Sequence, residues 1–149
     1  MVDKSQVGSH DDPKTMPIER GKIREFARAC MSTNPAYVDA PAPVSPPTFL
    51  TTVNFWMGSG TSPLARLGID LRRLLHGGQG YVFHGPPPRA GTELTFQTRV
   101  DRIYEKAGRR GGAMTFVETV TEFRDPAGAL VAEARSTAIE TGQAPTQEG

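Results

Sequence analysis

Hydrophobic side chains recur with helical spacing in one early segment. Within residues 19–31, Ile23, Phe26, Ala27 and Cys30 fall at i, i+3, i+4 and i+7, one face of an amphipathic helix. On that face Cys30 is read as a small buried hydrophobe. Ser32, Asn34 and Pro35 end the helix, because proline disfavours helical backbone in the residue before it. Residues 37–47 carry Pro41, Pro43, Pro46 and Pro47 and read as extended loop. From Thr48 to Met57 the chain is almost unbroken apolar or Thr, and Pro47 suits the first turn of a helix. Periodicity alone does not separate a buried helix from a buried strand here. The expectation is a short buried helix ended by Gly58, Ser59 and Gly60.

Beyond residue 68 the period changes to two. Leu94, Phe96, Thr98 and Val100 alternate with Glu93, Thr95, Gln97 and Arg99. Residues 113–123 form a β-branched and aromatic run, and 130–139 alternate again. Turns are marked at 106–112 and 125–128, the sequence of an antiparallel meander. Leu71 to His84 reads as a further strand, broken by Pro86, Pro87 and Pro88. One apolar helix against such a sheet is an α+β solution to burying both apolar faces. It predicts a single hot-dog fold, an antiparallel sheet wrapped around a central apolar helix.

Composition adds exclusions. The chain has 149 residues, with 17 Lys+Arg against 16 Asp+Glu, a net charge of +1. That balance argues against a nucleic-acid binder. No apolar run is long enough for a membrane span. The single cysteine excludes an internal disulfide or a cysteine zinc site, and no metal cluster stands out. Residues 1–15 and 142–149 are polar and read as flexible tails around a folded unit at 16–141. With no secretory h-region at the start, a cytoplasmic location is expected.

Among candidate chemical groups, His76 has two readings: a polar residue near a substrate, or a strand-end His held by a backbone carbonyl. A role as lone base would need a tuned pKa and a partner. His84 reads as a strand-end packing residue. Lys106, Arg109 and Arg110 cluster in a turn and suit either solvent or an anionic group. Phe49, Phe55 and Trp56 line a channel or fill the core. The Gly77–Gly80 run lacks the Lys-Ser/Thr end of a P-loop and reads as glycines that let a strand bend.

The segments IERGKIREFARA, PPTF and LHGGQGYVFHGPPPRAGTEL, in this order and spacing before the closing strands, resemble the N-terminal domain of MaoC-like dehydratases over about residues 17–140. The group includes (3R)-hydroxyacyl-ACP dehydratase subunits. The resemblance implies a hot-dog fold and an acyl-CoA or acyl-ACP thioester as substrate. It implies reversible addition of water across a trans-2-enoyl bond, without a cofactor. Active members use an Asp and a His in D-x-N-P-x-H for proton transfer, and backbone amides near the start of the central helix hold the thioester oxygen.

This chain departs from that motif. The matching segment is Ser32–Thr33–Asn34–Pro35–Ala36–Tyr37, so Ser32 stands for the Asp and Tyr37 for the His. Neither titrates near neutrality unassisted. No catalytic residue is assigned, and His76 is the fallback. By resemblance, Asn34, Pro47, Thr48, Phe49, His76 and Gly77 are candidates for substrate binding, and Arg109 and Arg110 for the phosphates of coenzyme A or the carrier. The expectation is a substrate-binding, non-catalytic subunit that pairs with a second hot-dog chain carrying D-x-N-P-x-H, or forms a homodimer. Two rivals remain: a hot-dog acyl-CoA thioesterase, for which the central segment offers only Asn54, and a non-enzymatic acyl-CoA binding module or scaffold.

Overall fold

The computed structural model describes residues 2–58, 63–108 and 112–142. Helix α1 spans Arg20–Ala29 and buries Ile23 and Ala27, as the spacing requires. The end of that face does not stay inside. Cys30 caps α1 and is exposed, so it is not the buried hydrophobe expected. The next residues make a one-turn helix, α2, at Pro35–Val38, with Pro35 in its first turn. The loop expected from residue 37 is therefore helical at its start.

Among the described residues five antiparallel strands follow the order β1-β3-β4-β5-β2: β1 Lys14–Pro17, β2 Leu74–Phe83, β3 Glu93–Ala107, β4 Ala113–Arg124 and β5 Leu130–Glu140. The expected meander is β3–β4–β5. Its second turn is closed by Asp125, whose carboxylate accepts the Ala129 amide at 2.9 Å, with Gly128 at φ 85°. Strand β2 precedes the meander in sequence but pairs with its far edge. It begins at Leu74, because Asp70 accepts the Arg72 amide and holds Leu71–Arg73 in a 3-10 turn.

Residues 2–15 are not a tail. Val2 is buried beside Leu67, Val100 and Val117, and Lys14 already belongs to β1. The Gly8 amide donates to the Val100 carbonyl at 2.9 Å, and the Val100 amide returns to Ser9 at 2.9 Å. Polar side chains concealed this segment because its attachment to β3 is made largely by backbone groups. Residues 143–149 lie outside the described residues.

The central segment runs along the inner face of the sheet. Phe49, Leu50 and Val53 are buried there among Met16, Ile18, Leu94, Phe96 and Phe123. Phe26 meets Phe49 edge-on, with ring centroids 5.6 Å apart. The short helix expected here is Phe49–Phe55, and it is of the 3-10 type. Its Thr51–Thr52–Val53 run is β-branched and poor at holding an α-helix. Phe55 is 74% exposed and so belongs to neither core nor channel.

Candidate functional site

The start of the central segment faces edge strand β2, and a hollow of about 610 Å³ lies between them. Pro47, Thr48 and Thr51 form one wall, and His76, Gln79, Gly80, Tyr81 and Phe83 the other. Strand alternation brings Gln79, Tyr81 and Phe83 to the same side. A bulge between His76 and Gly78 keeps His76 on that side too. Gly77 at the bulge is closely covered: a Cβ there would stand 2.7 Å from Ile139 Cδ1 and 2.9 Å from Ile139 Cγ1, so the Ile139 side chain would have to shift.

A second cavity, of about 450 Å³, continues inward and shares Thr51, His76, Gln79 and Tyr81 with the first. It runs under the central segment to Thr98, Thr119, Thr121 and Ser136 on the sheet. No Asp, Glu, Lys or Arg among the described residues lines either space. Two backbone amides at the start of the central segment are already engaged. Phe49 donates to the Pro46 carbonyl at 3.0 Å, and Thr51 to the Thr48 carbonyl at 3.1 Å.

Of the candidates from sequence, Pro47, Thr48 and His76 meet in the first hollow, whereas Gly77 does not line it and faces Ile139 and Thr137 instead. Phe49 is fully buried in the core and lines neither space. Ser32 and Asn34 build the entry to α2: the Ser32 hydroxyl accepts the Asn34 amide at 3.3 Å, and the Asn34 side chain accepts the Ala36 amide at 3.0 Å. Tyr37 packs against the core around Phe49. These three do not line the hollow.

Arg109 and Arg110 lie outside the described residues. Lys106, expected in the same turn, belongs to β3 and stands over the stacked rings of Tyr104 and Phe116, 5.2 and 5.0 Å from their centroids. His84 is not a packing residue; its Nε2 lies 3.1 Å from the Glu133 carboxylate. Burial pushes the Glu133 carboxyl up, but the His84 hydrogen bond and the Arg135 charge outweigh it and leave the group below its ordinary value.

Sequence reasoning missed Thr51, Gln79, Tyr81 and the hydroxyls on the sheet. The signal for the last was present: Thr98 sits in the inward phase of the strand, between Phe96 and Val100.

A family model described as "FAS1-like, dehydratase domain region" matches residues 5–134. The chain belongs to this family. Among its relatives, a UPF0336 protein of Streptomyces coelicolor is 38% identical over 117 residues, covering 72% of this chain and 77% of that protein. A second, from Streptomyces avermitilis, is 34% identical over 143 residues, covering 89% and 91%.

Among solved structures, the C-terminally truncated HadBC (3R)-hydroxyacyl-ACP dehydratase complex of Mycobacterium tuberculosis aligns at a TM-score of 0.73 and 26% identity, over 90% of this chain and 96% of that one. The ChsH1–ChsH2 complex of the same organism aligns at 0.72 and 18% identity, over 97% and 89%, a likeness of fold. The chain thus has the hot-dog fold of the MaoC-like dehydratases and hydratases. No helix among its described residues is long and apolar enough to cross a membrane.

Proposed function

We propose that the chain is the substrate-binding, non-catalytic subunit of an (R)-specific enoyl-thioester hydratase or 3-hydroxyacyl-thioester dehydratase acting in lipid metabolism. The observation that carries this reading is the make-up of the hollow at the β2 edge. Its lining is Pro47, Thr48, Thr51, Gln79, Gly80, Tyr81 and Phe83 with His76 and no carboxylate, and Ser32 and Tyr37 occupy the motif positions. Adding water to C3 and a proton to C2 needs a base and an acid held against the enoyl group. This chain supplies walls and a single imidazole.

The missing groups come from a second hot-dog chain with D-x-N-P-x-H. Strand β2 has β5 on one side and no strand on the other among the described residues. Its Leu75 and Val82 are exposed at 49% and 38%. An unpaired edge with outward apolar side chains favours pairing with another chain. The HadBC and ChsH1–ChsH2 neighbours are complexes of two different chains, which supports the same arrangement here.

The test is crotonyl-CoA hydration, followed by loss of enoyl absorbance. The expected result is no turnover by the purified chain and turnover by its co-expressed complex with a D-x-N-P-x-H hot-dog chain of the same genome. Hydration at ordinary enzyme rates by the chain alone overturns the proposal. Release of free thiol from acyl-CoA would favour a thioesterase instead.

A further inference from the structure

Strand register places an unusual polar belt in the middle of the inner face of the sheet. At one end Phe96, Phe123, Ala132 and Phe83 stand side by side across β3, β4, β5 and β2. Two residues further on, the same row reads Thr98, Thr121, Ala134 and Tyr81, and the next reads Val100, Thr119, Ser136 and Gln79. Beyond these come Ile103, Val117, Ala138 and His76.

The two apolar ends correspond to two separate core clusters, one around Phe49 and one around Leu67 and Val117. The belt between them is not packed shut. It faces the inner cavity of about 450 Å³. The Thr98 and Thr121 hydroxyls bond to each other at 2.8 Å. Thr119 and Ser136 line this cavity, and no hydrogen bond joins either side chain to another described residue.

A plain polymethylene tail in this space would strip water from Thr119 and Ser136 and give nothing back. A keto, hydroxyl or ether oxygen would accept from both, since a hydroxyl donates one hydrogen bond and accepts others. On the acyl-thioester reading above, on which this step rests, we infer that the acyl group bound here carries an oxygen function along its chain, read by Thr119 and Ser136. The two residues set specificity; they take no part in the proton transfers at C2 and C3.

The probes are decanoyl-CoA and its 5-oxo, 7-oxo and 9-oxo forms, titrated calorimetrically into the purified full chain in the assembly it forms. At least one oxo form binds about tenfold tighter than decanoyl-CoA, the gain from one well-placed neutral hydrogen bond. Thr119→Val with Ser136→Ala abolishes that preference and leaves decanoyl-CoA binding unchanged or tighter. Thr119→Ser, which keeps the hydroxyl, retains the preference and guards against a folding artefact. Equal binding of all four thioesters, or a preference that survives the double substitution, overturns the inference and leaves the acyl-thioester reading standing. Binding of none of them overturns both.

Discussion

Asp11 grips Thr98 twice. Its carboxylate accepts the Thr98 amide at 2.7 Å, and its own amide donates to the Thr98 carbonyl at 3.0 Å. Asp11 is buried, and Lys14 Nζ stands 3.4 Å from the same carboxylate. The residue therefore ties the N-terminal segment to β3 at the position whose hydroxyl helps form the polar belt. Asp11→Ala leaves the Thr98 amide without its acceptor, a loss of ~1–3 kcal/mol, read as a lower urea midpoint. Removal of residues 1–13 should lower it further, because Val2 leaves the core as well.

Gly77 and its neighbour Gly78 make a direct contrast. A Cβ at Gly77 meets Ile139 at 2.7 Å and Thr137 at 3.1 Å, whereas one at Gly78 meets nothing within 4 Å. Gly77→Ala should destabilise by ~1–3 kcal/mol through overpacking. Gly78→Ala should be neutral, or stabilising by ~0.4–1 kcal/mol through the unfolded chain. Urea unfolding of the two variants side by side checks this. A Gly77→Ala protein as stable as Gly78→Ala would show that β2 yields freely at its bulge.

The elements legible in the sequence are those whose polarity pattern coincides with their burial. Helix α1 and the β3–β4–β5 meander are of this kind: Ile23 and Ala27, and Leu94 and Phe96, are apolar because they face the core. Residues 2–15 escaped because backbone groups make most of their attachment, and a polar composition says nothing about backbone bonding. The central segment was found, but its helix type was not, since a short β-branched run fits several backbones.

The site was half legible. Pro47, Thr48 and His76 meet because the β2 edge passes the start of the central segment, a pairing that loops of this length leave open in one dimension. The motif residues Ser32, Asn34 and Tyr37 carried information chiefly through what they are not. The hydroxyl belt required the register of four strands, which no local pattern supplies.

Two phenylalanines of the central segment should behave oppositely. Phe49 is fully buried and packs edge-on against Phe26, so Phe49→Ala costs ~3–5 kcal/mol. Phe55 is 74% exposed and stands under Lys22, whose Nζ lies 5.4 Å from the ring centroid. Phe55→Ala should shift the urea midpoint little. A Phe49→Ala protein with a normal midpoint would mean that the central segment is not seated in the sheet as described.

Acid should weaken the His84–Glu133 pair in a defined direction. The Glu133 carboxyl lies below its ordinary value of 4.5, held there by the His84 hydrogen bond and the charge of Arg135 against the opposing effect of burial. A carboxyl whose pKa is lower in the folded than in the unfolded protein favours folding above the unfolded value. That contribution is lost as pH falls through the folded value. Glu133→Gln removes it, so the variant is less stable than the parent at pH 7, and the gap narrows as pH falls below 4.5. Urea midpoints of both proteins at pH 7, 4.5 and 3 check the sign. A gap that is constant, or widest at pH 3, would mean that Glu133 is not held in its charged form by the folded chain. His84→Ala should shrink the gap only in part, because Arg135 Nη2 remains 3.4 Å from the same carboxylate.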